Sequence, residues 1–293
     1  MDNLPPHMLT PNLFGNTLPT REPSADNITW HFADVAEAAR HAAKADRSTM
    51  WHDTAFTNSD NFSGGSMTLA HNLAAEGWED GAKAARALSA QVEAERPIAR
   101  ALNRYSVAGA TPSIPRALAG NPLNMRTIGP KESQRGPILS LSYNMAQSCA
   151  VKAKTLQHHA SAAAAVVDML EDRGHRCDVT TIWQSKAPGT RQTTTLAVQC
   201  KAAPDALNLA ALTYGIGHAA FFRRIMFAIV GMERRASFLT GCLGYPVAMK
   251  PDPAEGKYVL PGPEQTQAHT GLAAFDAMIA SLRAQGCPGI PEA

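Results

Sequence analysis

The sequence has no long apolar run, no paired cysteines and no short motif that fixes a reaction. Its longest apolar stretch, Ile225 to Met232, is eight residues, far short of the roughly 20 that cross a bilayer. No membrane association is therefore expected. Met1–Arg21 is polar and Pro-rich without an apolar centre, which argues against a secretory signal. The five cysteines (Cys149, Cys177, Cys200, Cys242, Cys287) form no CxxC, and their odd count suits reduced thiols in a cytoplasm. There is no G-x-x-x-x-G-K and no G-x-S-x-G, and Gly215-Ile216-Gly217 lacks the third glycine of a dinucleotide loop. No cofactor is expected.

What is present is ample material for a core. The 293 residues are 45% apolar and 18% charged, which excludes wholesale disorder, a collagen-like polymer and a disulfide-stapled miniprotein. The net charge of +2 conceals a division along the chain. Residues 1–95 carry 6 Lys/Arg against 13 Asp/Glu, residues 96–154 carry 9 against a single Glu132, and residues 155–293 carry 12 against 11. A basic stretch of this kind can follow a phosphate backbone, and an acidic one can repel nucleic acid or dock onto the basic one. Mutual neutralisation of the two stretches within the fold is the alternative.

Residues 1–26, with five prolines, read as a flexible N-terminal arm. An acidic, mostly helical region follows over 27–95. It opens with a strand at Ile28–Phe32 and a helix capped by Asp34. Helices are expected from Ser66 and from about Asp80 to Ala94, and the break at Glu76-Gly77-Trp78 separates them. Residues 96–135 form a basic irregular segment in which Pro112, Pro115, Pro122 and Pro130 interrupt regular structure.

Residues 136–293 read as an α/β domain. Ile138–Tyr143 is a buried strand, and Thr155–Arg173 is a helix whose apolar positions recur at three and four residues. Cys177–Trp183 and Thr194–Cys200 form a hairpin pair around Ala187-Pro188-Gly189-Thr190. Helices are expected from Pro204 to Tyr214, from His218 to Glu233 and over Leu272–Gln285, with a short strand at Lys257–Leu260. The alternation predicts an α/β fold, a three-layer sheet with helices flanking its faces, beside a mostly helical N-terminal half.

The stretch Leu139–Glu171, a strand and helix followed by a second strand and an antiparallel edge strand, resembles a von Willebrand factor A-like domain over roughly residues 136–235. That family carries a metal-binding DxSxS at the end of its first strand. Here Asn144-Met145-Ala146-Gln147-Ser148 keeps only the final serine, so the resemblance implies a protein-interaction module without metal. The chain as a whole resembles proteins encoded by tailed bacteriophages and their integrated relatives. The residues that suggest this are Ser63-Gly64-Gly65-Ser66, Ala75–Gly81, Ser113–Met125 and Phe221-Phe222-Arg223-Arg224. The resemblance implies a phage context in the host-cell cytoplasm and a possible phage or host protein partner.

Four constellations are candidates for chemistry. His158, His159, His175 and Cys177 are the nearest approach to a metal cluster, but adjacent helical residues point about 100° apart, and no metal is expected. Cys149 beside a helix start is the candidate thiolate, with His158 as its base; a structural thiol is the other reading, and no catalytic residue is assigned. Ser63-Gly64-Gly65-Ser66 reads as a loop with an N-cap rather than a phosphate cradle, since no lysine follows. In Phe221-Phe222-Arg223-Arg224 the aromatics fall on core stripes, which places Arg223 and Arg224 at an exposed helix edge.

The basic segment remains. A single-strand groove needs a track of cations with aromatic platforms between them. Arg96, Arg100, Arg104, Arg116, Arg126, Lys131 and Arg135 supply the track, and Tyr105 is its one aromatic. The leading expectation is a non-enzymatic phage accessory protein that binds nucleic acid, single-stranded DNA foremost, through these residues. A protein-interaction module around Asn144 and Ser148, a virion structural component, and a structural strap over 96–135 stand beside it.

Overall fold

The computed structural model describes residues 20–23, 27–45, 60–95, 104–107, 111–112, 114–122, 124–127, 136–148, 150–186, 193–232, 245–247 and 249–290. The N-terminal elements are β1 (Thr20–Pro23), β2 (Asn27–Phe32), α1 (Val35–Ala42), α2 (Asp60–Ser63), α3 (Met67–Glu76) and α4 (Glu79–Glu95). The basic segment carries β3 (Arg104–Ser106), β4 (Thr111–Pro112), α5 (Ile114–Leu118) and β5 (Met125–Thr127). Then come β6 (Ile138–Asn144), α6 (Ala153–Asp172), β7 (Arg176–Lys186), β8 (Thr193–Lys201) and α7 (Leu209–Gly217). A π turn (Phe221–Met226) leads into α8 (Phe227–Met232), followed by β9 (Tyr245–Pro246), β10 (Lys257–Leu260), α9 (Pro263–Thr266) and α10 (Gly271–Ala284).

Local chemistry sets the helix ends. The Asp34 carboxylate accepts the Glu37 amide at 2.6 Å while Glu37 accepts the Ala33 amide at 2.6 Å, so two otherwise orphaned donors are satisfied at the start of α1. The Ser66 hydroxyl caps α3 through the Leu69 amide at 3.1 Å. Gly174, at φ +89°, ends the turn after α6 in a conformation that costs glycine little.

The main sheet runs β1-β2-β8-β7-β6-β10, with β9 added to the end of β7. β6 pairs parallel with both β7 and β10, and β2 pairs parallel with β8. The β1/β2, β7/β8 and β7/β9 pairs are antiparallel. The fold class is α/β, as the alternation of elements implies. Thr20–Pro23, in the expected arm, is a strand, and β2 draws the N-terminal region into the same sheet.

Along β7 the side chains of Cys177, Val179, Thr181, Trp183 and Ser185 are buried, whereas those between them are half-buried. The buried side receives every described helix that touches the sheet: α1 on β2 and β8, α7 on β8, α6 on β7 and α10 on β10. α3 and α4 pack on this helical layer in turn, against α1, α6, α7 and the π turn. The outward positions of the sheet hold Ser140, Ser142, Asp178, Thr180, Gln184 and Gln199, with the half-buried Ile182 and the buried Ala197 paired among them. Asp178 and Gln199 are themselves joined at 3.0 Å.

No single described helix is long and apolar enough to cross a membrane. The pair Leu209–Gly217 and Phe221–Met232 would be so together, but it bends by 54° and residues 212–230 are all buried inside the protein. Gly217 allows the bend to sit against α6: a Cβ there would lie 2.6 Å from Ala160 Cβ and 2.7 Å from the Leu156 carbonyl. At the far edge of the sheet, the Gln285 side chain accepts the Val259 amide and donates to the Val259 carbonyl, both at 2.8 Å. One side chain thereby imitates a neighbouring strand and closes the edge at β10.

Candidate functional site

Of the residues expected to hold nucleic acid, Arg96, Arg100, Lys131 and Arg135 lie outside the described residues. The remaining four fall on one small module. β3, β5 and β4 form a three-stranded antiparallel sheet separate from the main one. Its register sets Tyr105 opposite Arg126, Arg104 opposite Thr127, and Thr111 opposite Arg126 from the other side. Directly opposed residues of an antiparallel pair share a face, with Cβ atoms about 5 Å apart. Arg116 sits on α5, between β4 and β5. The module also carries three exposed apolar side chains, Val107 (73%), Ile114 (67%) and Leu118 (84%). Exposure of this extent distinguishes them from core residues, and the sequence reading passed over them because a Pro-rich segment shows no periodicity to betray an apolar surface.

The second candidate is the crevice at the carboxyl ends of β6 and β10. The chain leaves β6 toward β7 on one side and returns to pair with β6 through β10 on the other, which is the topological position where open α/β sheets hold ligands. Asn144 is buried there and donates to the Val247 carbonyl at 2.5 Å, while its side-chain oxygen accepts the Ala146 amide at 3.0 Å. Gln147 donates to the Asn144 carbonyl at 2.8 Å and accepts the Glu264 amide at 3.3 Å. The exposed Glu264 carboxylate accepts the Ser148 amide at 2.7 Å. The degenerate DxSxS segment is therefore tied by hydrogen bonds to Glu264 on α9 and to Val247 just after β9. Its donors and acceptors face one another.

Arg223 and Arg224 correct the sequence reading outright. They are 1% and 2% exposed, not at an outer edge. The segment is buried on every side, and the π turn that carries both arginines interrupts the 3.6-residue phase on which an outer edge was inferred. Arg223 donates to the carbonyls of Phe62 (2.6 Å), Ser148 (3.3 Å) and Val151 (2.7 Å), and its guanidinium lies 4.2 Å from the Phe62 ring centroid. Arg224 donates to the Gly65 carbonyl at 3.0 Å and the Ser63 hydroxyl at 3.4 Å. The Ser63–Ser66 loop thus turns the Gly65 carbonyl and the Ser63 hydroxyl to a guanidinium, an arrangement for binding a cation and not a phosphate. An Arg pair inside a run apolar on both sides was the available signal, since a helix without a polar face has no outside on which to place charge.

Both helical histidines reach the same loop before α10. His158 Nδ1 meets the His269 carbonyl at 2.6 Å, and His159 Nε2 meets the Ala268 carbonyl at 3.1 Å and Thr266 Oγ1 at 3.3 Å. Burial lowers the pKa of His159, opposed in part by these backbone bonds. His175 is packed between Gly136 and Gly289. Among the described residues no three His, Cys, Asp or Glu side chains converge on a point suited to a metal. Cys149 lies outside the described residues; burial pushes the thiols of Cys177, Cys200 and Cys287 up, to about 12, 11 and 11, so none is a thiolate at neutral pH.

Residues 16–287 match the model of one protein family, a domain of unknown function designated DUF7192. The chain belongs to the DUF7192 family. No curated protein and no solved structure matches it significantly. The match spans the N-terminal strands, the small module and the main sheet together, so in this DUF7192 chain the basic segment is enclosed within the family's own boundaries.

Proposed function

We propose that this chain is a non-enzymatic phage accessory protein that works in the host-cell cytoplasm and binds nucleic acid, single-stranded DNA foremost, through its basic segment. The observation that supports the reading is the β3–β5 register, in which Tyr105 stands directly opposite Arg126. An aromatic position next to cationic ones is what base stacking with phosphate neutralisation requires. In sequence, Arg116 lies between these strands, and Arg96, Arg100, Lys131 and Arg135 flank them.

The test is fluorescence anisotropy with labelled single-stranded and duplex oligonucleotides across a salt series. Each phosphate contact on a single strand contributes about 0.7 to the slope of log K against log salt, so seven engaged cations give a slope near −5. Arg104→Glu with Arg126→Glu should flatten it to about −3.5. Tyr105→Ala should cost about 1–3 kcal/mol at every salt concentration, because stacking is not screened. Binding that ignores ionic strength, or no binding at all, overturns the proposal.

A second reading, a von Willebrand A-like protein-interaction module without metal, is supported by the strand order β8-β7-β6-β10 with β8 antiparallel. The helices on one face alone depart from it. In that reading the partner meets the exposed Glu264 beside Ser148, and no oligonucleotide binds at any salt concentration.

A further inference from the structure

Two successive residues of α6 hold one stretch of loop. His158 Nδ1 donates to the His269 carbonyl at 2.6 Å, and His159 Nε2 donates to the Ala268 carbonyl at 3.1 Å. A carbonyl only accepts, so each of these ring nitrogens carries the proton, and the Nδ1 of a neutral His159 is left bare. That Nδ1 is buried without a hydrogen-bond partner, in a residue that is 0% exposed. The loop itself is held against its preference. Gln267 stands at φ +52°, the only non-glycine in the left-handed region among the described residues, and a side chain stays there only while its surroundings fix it. The other end of the same stretch reaches the crevice at the carboxyl ends of β6 and β10. There the Glu264 carboxylate accepts the Ser148 amide at 2.7 Å, and the Glu264 amide donates to Gln147 Oε1 at 3.3 Å.

We propose that residues 261–269 form a proton-released cover on this crevice: protonation of His159 breaks its hold on Ala268 and frees the segment, α9 included, from α6. A second proton on the ring can go only to Nδ1. There it would set a positive charge inside the protein, with no acceptor in hydrogen-bond reach of the new N–H. Among the described residues the titratable groups acting on the ring are His158 on α6 and His269 on the loop, and each opposes a charge there. Neither Glu264 on α9 nor Asp276 on α10 is among them, and on α4 Glu93 and Arg86 line a groove with Asp168 and Asp172, further along α6. Burial accordingly lowers the pKa of His159, opposed in part by the carbonyls of Ala268 and Pro261. The closed cover keeps a neutral ring, whereas a released one takes up a proton below about pH 6.5. The cover is therefore held above that pH and is let go as pH falls below it. The inference rests on neither functional reading, since no ligand enters its test.

The experiment is hydrogen exchange of the full chain, read by mass spectrometry from about pH 7.5 to about pH 4.5, with labelling times scaled to the intrinsic exchange rate. An imidazole that titrates at about 6.5 once released favours the open segment by up to about tenfold at about pH 5.5. Peptides covering 262–270 should lose up to that factor in protection, and the peptide that carries Ser148 should follow them. Peptides from α6 and β7 should keep theirs, which separates release of the cover from general unfolding. His159→Gln keeps an amide donor for the Ala268 carbonyl and removes the titration, so its protection over 262–270 should be flat with pH. His158→Gln, at the half-buried tie, should retain the step. The wild-type chain alone can refute the proposal in three ways: protection that holds at about pH 5.5, protection lost in every peptide together, or a step that comes only below about pH 5, where a carboxylate such as Glu264 takes up the proton in place of an imidazole. A step that survives in His159→Gln, or that vanishes in His158→Gln, overturns it as well.

Discussion

Gly217→Ala sets two effects of known sign against each other. In a helix, alanine is favoured over glycine by roughly 1 kcal/mol because less backbone freedom is lost on folding. At the end of α7, however, the added Cβ falls 2.6 Å from Ala160 Cβ, 2.7 Å from the Leu156 carbonyl oxygen and 3.2 Å from Ala160 Cα. Optimal separations are about 3.5–4 Å. Neither neighbour can turn away, because one is main chain of α6 and the other is fixed directly to it. α7 must therefore retreat from α6, and α6 contacts α4 and α10 as well as β7. Forced overpacking costs about 1–3 kcal/mol, and at this separation the upper part of that range applies. The net expectation is a loss of about 1–2 kcal/mol, read as a fall of about 0.5 M in the urea midpoint at unchanged slope. Gly271→Ala is the matched control. Its Cβ meets only Leu88 Cδ2 at 3.5 Å, an ordinary contact, at the first residue of α10. Here propensity acts unopposed and the midpoint should hold or rise. If Gly217→Ala proves as stable as the wild type while Gly271→Ala behaves as expected, the close approach of α6 and α7 is wrong.

Two further outcomes follow from the buried polar groups. Arg223→Met removes a guanidinium that joins the carbonyls of Phe62, Ser148 and Val151, and Arg223→Lys cannot reach all three with one ammonium. Both should lower stability by about 3 kcal/mol, a melting-temperature drop on the order of 10 °C, and a lysine variant that melts with the wild type would falsify the bridge. His218 is buried against Trp78 and Tyr214, and burial lowers its pKa to about 4. The folded state therefore holds the neutral ring while the unfolded state takes up a proton below about 6.5. Stability is full above pH 6.5 and is lost as pH falls from there toward 4, by up to about 3 kcal/mol. His218→Asn keeps an acceptor for the Ala220 amide and should show a shallower loss between pH 7 and 4.5 in urea titrations. Equal pH dependence of the two chains would place the titration elsewhere, with the buried His159 the next group to examine.

The elements that could be read from sequence are those whose burial is one-sided. β6, β7, β10 and α10 announce themselves because a strand with one buried face alternates and a helix with one buried face repeats at 3.6. Segments without that asymmetry misled. Residues 212–230 are buried all round, so their period said nothing of direction, and the arginines were placed outside. The small sheet has strands of two and three residues, too short for any alternation. For the site, Tyr105 and Arg126 are 21 positions apart in sequence, and only strand pairing makes them neighbours.

The contrast between the crevice and the small module bears on which of them is able to engage a ligand. At the carboxyl ends of β6 and β10 most of the polar side chains are matched inside the protein, from Asn144 with Val247 to Ser148 with Glu264, and among the buried side chains of β6 the Tyr143 hydroxyl alone stands without a described partner. A ligand entering there must first break those bonds, and each one replaced returns little net energy because one hydrogen bond is exchanged for another. A preformed site works differently, by presenting groups whose partners arrive with the ligand. The β3–β5–β4 module does so on two counts. Three large apolar side chains, Val107, Ile114 and Leu118, stand in solvent. Its share of the basic segment carries no carboxylate, because Glu132 lies beyond β5, so within the module phosphate or an acidic surface meets attraction without competition from a neighbouring anion. Apolar contact is indifferent to salt and phosphate contact is not. Raising ionic strength should therefore dissolve an oligonucleotide complex on the module steeply.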